Sequence, residues 1–169
     1  VRPGVMQLDT PDASRTAEVL VEESDLSDED FLTEVIEVVR REKTVNLSVA
    51  QIIVAAGAGA ADPETLALVR KLAVTIGAEL AASRPLVDAG LLSHDHQVGQ
   101  TGTTVRPNLY IACGISGQIQ HRAGMVESQR IIAINSDPDA PIFRIAHYGI
   151  VGDLNAVIPK MIAAYKEKA

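Results

Sequence analysis

Residues 97–125 read QVGQTGTTVRPNLYIACGISGQIQHRAGM, two glycine-rich loops with an apolar run between them. The run Leu109–Cys113 carries no charge and is bounded by Pro107-Asn108 and by Gly114. Such a run predicts a strand buried on both faces of a parallel sheet. The turn at 114–117 then opens a helix, and this junction directs backbone N–H groups toward one point, which suits a phosphate. Together the loops predict a site for a large polar and aromatic ligand.

The chain on either side of this stretch alternates strand and helix patterns. Further strands are predicted at residues 52–56, 79–82, 130–134 and 142–146. Helices are predicted from Pro63 after an Asp62 cap, from Ser83 through Ala89, after Ser116, and from Asp153 to the end. The alternation predicts an α/β fold, a doubly wound parallel sheet of about five strands with helices on both faces.

The first 46 residues follow a different pattern, and a boundary is predicted there, between 1–46 and 47–169. Residues 17–22 (AEVLVE) predict a short strand. Ser27 and Asp30 form a capping-box pattern before apolar residues at helical spacing, which predicts a helix toward Arg41. The fold is therefore expected to carry a short strand-helix extension. The chain begins with Val1, so a fragment or a processed piece is expected.

Composition excludes several classes of function. The net charge of −7 argues against nucleic-acid binding, which needs clustered Lys and Arg. No apolar run reaches the roughly 18 residues of a membrane span, and no signal peptide is visible. Cys113 is the single cysteine, so no intrachain disulfide and no cysteine-based metal site is expected, and it is interpreted as a small buried apolar residue. The expected compartment is reducing and aqueous.

Several motifs of known chemistry are absent. Gly114-Ile115-Ser116-Gly117 is neither a nucleophile elbow nor a P-loop, and the turn after residue 56 has Asp62 where the dinucleotide fingerprint needs glycine. Ser, His and Asp are present, but no pattern arranges them as a triad. His94 and His96 flank Asp95, yet no helical spacing supports a metal site, so none is predicted.

Polar groups follow the predicted strands and would meet at one edge of the sheet. They are Gly57-Ala58-Gly59, Ser83-Arg84, the 114–117 turn, Asn135 and His147-Tyr148-Gly149. Arg84 is either a fixed charge beside an anionic ligand or a surface cation paired with Asp88. His121 is either a site residue or a structural histidine. This convergence predicts a binding site.

Four runs of this sequence resemble those of a known protein family. The run from Val98 to Met125, with IIAINSDPDAPIF, YGIVGDLNAVIP and SRPLVDAG, closely resembles the C-terminal FAD domain of the electron transfer flavoprotein alpha subunit, a Rossmann-like domain. The resemblance covers about residues 50–169, and residues 1–46 resemble the end of the same subunit's preceding domain and its connecting segment. It implies non-covalently bound FAD that accepts and passes electrons, with no catalytic side chain. The FAD-binding residues that it implies are Ser83, Arg84, Gln97, Gln100, Thr101, Gly102, Ser116, Gly117, Gln120, His121, Asn135 and Asp153.

The resemblance also implies roles for these residues. Arg84 would lie over the flavin ring, Thr101 near the flavin N5, and His121 near the pyrimidine edge. Ser116 and Gly117 would meet the phosphates, while Asn135 and Asp153 would meet the adenosine end. Arg84 and His121 would together favour negative charge on the reduced flavin.

The implied function is an electron carrier rather than a stand-alone enzyme. Its implied partners are a beta subunit and an acyl-CoA dehydrogenase-type flavoenzyme of fatty acid beta-oxidation, NADH or a quinone reductase. The implied location is the bacterial cytoplasm, or the mitochondrial matrix in a eukaryote. Two alternatives stay open: an NAD(P)-binding oxidoreductase domain, and an interaction fragment without flavin.

Three departures from the family pattern are visible. Ala56–Gly59 lacks an arginine that the family often has, Thr103 replaces the lysine of some members, and His147 replaces a frequent aspartate. The run 104–107 (TVRP) is more similar to the flavin-bifurcating branch of the family, in which electrons split between two acceptors.

Overall fold

The computed structural model describes residues 10, 12–23, 25–27, 30–31, 33–39 and 45–168. The chain divides into two units, one over Met6–Glu42 and one that includes Lys43–Ala169. In the described residues, no helix is long and apolar enough to cross a membrane. The predicted assignment of residues 1–46 to the end of a preceding domain stays a prediction.

The second unit is a parallel α/β domain. Its strands and helices are β1 (Ile52–Ala56), α1 (Pro63–Thr75), β2 (Glu79–Ala82), α2 (Arg84–Asp88), β3 (Leu109–Cys113), α3 (Ile119–Arg122), β4 (Ile131–Asn135), β5 (Tyr148–Val151) and α4 (Leu154–Lys168). The strands form one sheet in the order β2-β1-β3-β4-β5, with every neighbouring pair parallel. The predicted fold class is confirmed.

The sheet is buried on both faces because its strands are apolar at consecutive positions. In β1, Val54 and Ala56 join the cluster that includes the apolar faces of α1 and α4. Ile53 and Ala55 point the other way, into a cluster that includes Val98 from the first glycine loop. Successive side chains of a strand alternate between faces, so an uninterrupted apolar run requires cover on both sides.

Helix α1 begins where the sequence predicts. The Asp62 carboxylate accepts hydrogen bonds from the backbone N–H groups of Glu64 and Thr65, both at 3.1 Å. Pro63 occupies the first helical position, where no N–H is needed. Gly77, with a φ of +66°, follows the helix end. These local signals set the length of the segment that crosses from β1 to β2.

The strand order creates a crevice at the carboxyl edge of the sheet. From β1 the chain moves outward to β2, then crosses back to β3 on the other side of β1. The connections after β1 and β3 therefore leave in opposite directions, and ligands of parallel α/β sheets bind at such a switch point. The turns after these two strands are Gly57-Ala58-Gly59 and the 114–117 turn.

The fifth strand was predicted in the wrong place. Residues 142–146 lie outside the sheet, and Pro141–Arg144 forms a 3₁₀ turn instead. Pro141 has a fixed φ and no N–H, and the N–H of Ile142 bonds to the carbonyl of Ser116 at 2.9 Å rather than to a strand. The strand β5 follows at Tyr148–Val151.

This shift places His147 at the amino end of β5, whereas the ligand site lies at the carboxyl ends of the strands. His147 precedes β5, and its Nδ1 accepts a hydrogen bond from the Ile131 N–H at 3.1 Å. The predicted placement of 147–149 at the carboxyl edge is therefore wrong. Gly152 and Asp153, which follow β5, lie at that edge instead.

The predicted strand-helix extension is absent from the described part of the first unit. Residues 17–22 form no strand, and residues 33–39 form no helix, while the intervening Asp28, Glu29 and Leu32 and the predicted end at 40–41 lie outside the described residues. Ser27 and Asp30 do bond as a capping box, with Ser27 N–H to Asp30 Oδ2 at 2.8 Å. The apolar residues that should line the helix stay exposed, with Ile36 96% exposed. A lone strand or short helix that buries no apolar face is marginal in water.

Candidate functional site

A cavity of about 620 Å³ opens at the carboxyl edge of the sheet. The predicted site residues that line it are Ser83, Arg84, Gln97, Gln100, Thr101, Ser116, Gly117, Gln120, His121 and Asn135. A second cavity of about 280 Å³ shares Gly59, Gly114 and Asn135 with the first, and Asp153 lines it. Of the predicted residues, Gly102 alone lines neither of these two cavities. Segments that are far apart in sequence thus meet at one place.

The first glycine loop is held in shape by hydrogen bonds between its own residues. Gln97, which is buried, donates from Nε2 to Thr101 Oγ1 at 2.9 Å, and its carbonyl accepts from the Thr103 N–H at 2.7 Å. A Cβ at Gly102 would lie 2.4 Å from that carbonyl oxygen, so Gly102 makes the tight turn possible. Because the Thr101 oxygen accepts from Gln97, its own proton is left to donate to a ligand in the cavity.

The turn after β3 depends on glycine. Gly114 and Gly117 have φ of +64° and +89°, and a Cβ on Gly117 would lie 2.3 Å from the backbone nitrogen of Ile142. Asn135 braces the turn from β4, since its Nδ2 donates to the Ile115 carbonyl at 3.0 Å. Within the described residues, the N–H groups of 116–118 (Ser, Gly, Gln) make no hydrogen bond. These amides are available to an anion.

Arg84 pairs with Asp88, as one of its two interpretations predicts, and it also lines the cavity, whereas its role beside an anionic ligand stays a prediction. Its side chain lines the large cavity, and its Nε donates to Asp88 Oδ2 at 3.2 Å. Both side chains are exposed, so this ion pair adds little to stability. Asp88 also lines the cavity and offsets part of the positive charge that Arg84 brings to it.

His121 is buried and held at both ring nitrogens. Nδ1 lies 3.1 Å from the Val98 carbonyl oxygen, and Nε2 lies 3.1 Å from the hydroxyl of Tyr110. Burial lowers the pKa of His121 from 6.5 to about 4, and the bond to the Val98 carbonyl opposes this shift. His121 is therefore neutral at neutral pH. In this state the positive charge at the cavity comes from Arg84, and the predicted role of His121 beside a reduced flavin stays a prediction.

The second cavity is built around the start of α4. Asp153 accepts the Asn155 N–H on Oδ1 at 2.7 Å, and its Oδ2 makes no hydrogen bond to the described residues. Asn135 accepts the Asp137 N–H on Oδ1 at 3.0 Å. Its Nδ2 donates to the Ile115 carbonyl, so both the oxygen and the nitrogen of the Asn135 side chain bond to backbone groups.

The histidines near residue 95 do not form a metal centre. His94 is exposed, and the Nδ1 of His96 lies 2.8 Å from the Leu80 carbonyl oxygen. Among the described residues, no group of three or more His, Cys, Asp or Glu side chains is placed to hold a metal ion. Cys113 is fully buried, and burial raises the pKa of its thiol to about 12.

The FAD-binding residues that the family resemblance implies leave out several residues that line the cavity. They include Gly59, Asp88, Gly99, Gly114, Gln118 and Asp137. Gly59 had a signal, because it lies in the turn after β1, and its N–H bonds to the Gly114 carbonyl at 3.0 Å. Asp137 had none, since its place in the cavity depends on how the chain turns after β4.

The comparisons with known proteins agree with this geometry. Residues 46–126 match the family model described as the electron transfer flavoprotein FAD-binding domain. The chain is 50% identical to the electron transfer flavoprotein subunit alpha of Thermoanaerobacterium thermosaccharolyticum, over 99% of this chain and 51% of that protein.

Other relatives carry different names. The chain is 50% identical to protein FixB of Azotobacter vinelandii and 47% identical to the acryloyl-CoA reductase electron transfer subunit beta of Anaerotignum propionicum. Each match covers 99% of this chain and 47% of the relative. The chain thus spans about half the length of the curated relatives it matches. It belongs to the electron transfer flavoprotein alpha-subunit family, and residues 46–126 match the FAD-binding domain of that family.

Proposed function

We propose that the two adjoining cavities hold one molecule of FAD, non-covalently, and that the chain carries electrons through it. The observation that carries this proposal is the convergence of the predicted residues, from five separate segments, on one continuous edge. A cavity of about 620 Å³ lies within the range of roughly 300–1,000 Å³ that is typical of small-molecule sites. The second cavity adjoins the first at Gly59, Gly114 and Asn135, so the two together offer room for the two nucleotide halves of FAD.

The residues present fit the chemical parts of FAD. The free amides of 116–118 suit the pyrophosphate, because backbone N–H groups that converge bind anions well. Thr101 keeps a hydroxyl proton for a ring nitrogen or carbonyl of the flavin. Oδ2 of Asp153 is free to accept from a ribose hydroxyl or the adenine amine. Arg84 supplies the positive charge beside the ring.

FAD supplies the redox chemistry when it is bound, and the protein sets its electrostatics. Arg84 stabilises negative charge that develops on the flavin, and Asp88 moderates this effect. Nothing in this arrangement requires a side chain to act as a general acid or base. The chain is therefore proposed as an electron carrier, not as an enzyme that acts alone.

The proposed partners follow from the family. We expect a beta subunit, and an acyl-CoA dehydrogenase-type flavoenzyme, NADH or a quinone reductase as donor or acceptor. The relative named as an acryloyl-CoA reductase electron transfer subunit favours an acyl-CoA substrate on the donor or acceptor side. Division of electrons between two acceptors is a further proposal, motivated by the 104–107 run. The named relatives come from bacteria, which favours the bacterial cytoplasm as the location.

Binding of three flavins would test the proposal. Riboflavin reaches only the flavin end, FMN adds one phosphate, and FAD extends into the second cavity. We expect affinity to rise in that order, measured by quenching of flavin fluorescence on titration with the chain. Equal affinity for all three would contradict a site that spans both cavities. Tighter binding of NAD(P)H than of FAD would favour the oxidoreductase alternative, and no binding of either would favour the flavin-free interaction fragment.

A further inference from the structure

A chain of hydrogen bonds that involves buried side chains lies beside the large cavity, which Val98 and His121 line. Tyr110 on β3 is fully buried, and its hydroxyl lies 3.1 Å from Nε2 of His121. The Nδ1 of the same ring lies 3.1 Å from the carbonyl oxygen of Val98. The two rings are 6.1 Å apart and tilted by 59°, so they meet through their edges rather than by stacking.

The direction of each hydrogen bond follows from the groups involved. A carbonyl oxygen only accepts, so Nδ1 of His121 carries a proton and donates it to Val98. A neutral imidazole has only one N–H, so Nε2 is bare and accepts from the Tyr110 hydroxyl. The Val98 carbonyl thus sets the tautomer of His121, and the Tyr110 hydroxyl donates to the ring nitrogen that this tautomer leaves bare. The tyrosine donor would otherwise be a buried group without a partner, which costs about 1–3 kcal/mol in general.

Val98 connects this chain to the loop that lines the cavity. Its N–H donates to the Ala82 carbonyl at 2.9 Å, which ties the loop to the end of β2. Two residues on, the N–H of Gln100 donates to the Gln120 carbonyl at 2.8 Å. The loop is therefore held against α3 at two points, one backbone bond and one bond from the His121 ring.

The loop and α3 also approach more closely than side chains would permit. A Cβ on Gly124 would lie 2.5 Å from the backbone of Gly99, and a Cβ on Gly99 would lie 3.0 Å from the Gln120 carbonyl oxygen. This close contact packs the glycine loop against α3 and the residues that follow it. The bond from His121 Nδ1 to the Val98 carbonyl adds a side-chain contact at the same place.

We propose that Tyr110 is a positioning residue for the flavin site: its hydroxyl orients the His121 ring with the proton on Nδ1, and that ring holds the glycine loop against α3. This inference rests on the proposed function, since it assigns the loop to the flavin end. Tyr110 does not line the cavity and touches no ligand. It acts through His121 and Val98.

The Tyr110→Phe variant removes the hydroxyl and keeps the ring in the core. We expect the affinity for FAD to fall about fivefold, the loss of one buried hydrogen bond. Hydrogen exchange at the Gln100 N–H should become faster. The ¹⁵N resonance of His121 Nε2 should move toward that of a nitrogen without a hydrogen-bond donor. Tyr148→Phe is the matched control, because it removes the same hydroxyl from an exposed side chain and should change none of the three.

A double-mutant cycle separates positioning from a merely structural role. If Tyr110 acts through His121, Tyr110→Phe should lower FAD affinity in the parent and have little further effect in a His121→Asn background. Equal effects in both backgrounds would overturn the inference, as would a parent His121 that carries its proton on Nε2.

The two proposals fail in different ways. The tautomer and the exchange rate are measured in the chain before FAD is added, so they decide the inference even if no flavin binds. Absence of FAD binding in the parent would contradict the proposed function alone. Tight FAD binding that Tyr110→Phe leaves unchanged would contradict the inference alone.

Discussion

Replacing His121 by asparagine should remove an acid-induced loss of stability that the parent chain shows below about pH 6.5. In the folded chain, burial lowers the pKa of His121 from 6.5 to about 4. The unfolded chain therefore binds a proton at this residue between these two values, while the folded chain does not. Stability rises with pH wherever the unfolded state binds more protons, so this contribution is complete above pH 6.5 and is lost as the pH falls toward 4.

The size of this effect follows from the shift. Each pKa unit corresponds to about 1.4 kcal/mol, and at pH 5 the unfolded histidine is almost fully protonated while the folded one is almost fully neutral. The parent should thus lose about 2 kcal/mol of unfolding free energy at His121 between pH 8 and pH 5. Asparagine does not titrate, and its Nδ2 can replace Nδ1 as the donor to Val98.

Urea unfolding between pH 8 and pH 5 measures this difference. The informative quantity is the change in unfolding free energy with pH in the parent minus that in the variant, because carboxylates contribute equally to both. His94→Asn serves as the control, since it removes an exposed histidine and keeps His121, and it should retain the pH dependence of the parent. Parallel pH profiles for the parent and His121→Asn would refute the assignment of a buried, neutral His121.

Three other predictions concern the cavity and its ligand. Arg84→Ala should lower the first reduction potential of bound FAD by on the order of 50 mV, which is about tenfold in the reduction equilibrium. Asp88→Asn should raise this potential, because the two side chains carry opposite charges. Potentiometric titration measures both shifts, and shifts of the same sign would contradict the argument. Gly90→Ala should destabilise the chain by roughly 1–2 kcal/mol, because Gly90 has a positive φ but a Cβ there meets nothing within 4 Å. Gly117→Ala should destabilise it by well over that amount, because Gly117 also has a positive φ and its Cβ would be forced against Ile142. Equal losses in urea unfolding would show that the contact with Ile142 does not matter. Removal of FAD should lower the melting temperature, and adding it back at a hundred times its dissociation constant should restore about 2.7 kcal/mol; a melting temperature independent of FAD concentration would contradict specific binding.

The elements predicted best are those whose signals are local. The Asp62-Pro63 start of α1, the uncharged runs of β1 and β3, and the apolar face of α4 all appear where the sequence predicts them. The displaced fifth strand shows the limit of such reasoning. Residues 142–146 are apolar enough for a strand, but Ile142 is held by the turn at Ser116, a contact made 26 residues away along the chain.

The first unit shows that a local signal is not sufficient to form a helix. The capping-box hydrogen bonds between Ser27 and Asp30 form, yet the described residues that follow are not helical. The local signal set the turn, but a helix also needs something against which to bury its apolar residues. No contact of that kind is visible for Val35 and Ile36, which stay exposed.

By itself, the sequence determined that a parallel α/β sheet presents glycine turns and polar side chains at one edge, because apolar periodicity and turn residues act over a few positions. The motifs of residues 97–125 also determined the family. Tertiary structure alone decided which partners these groups have and which of them carry charge. It paired Arg84 with Asp88, left the amides of 116–118 without a hydrogen bond to any described residue, and buried His121 between Tyr110 and Val98. The charge of a histidine depends on burial and on the partners of both ring nitrogens, and these come from segments that only the folded chain brings together.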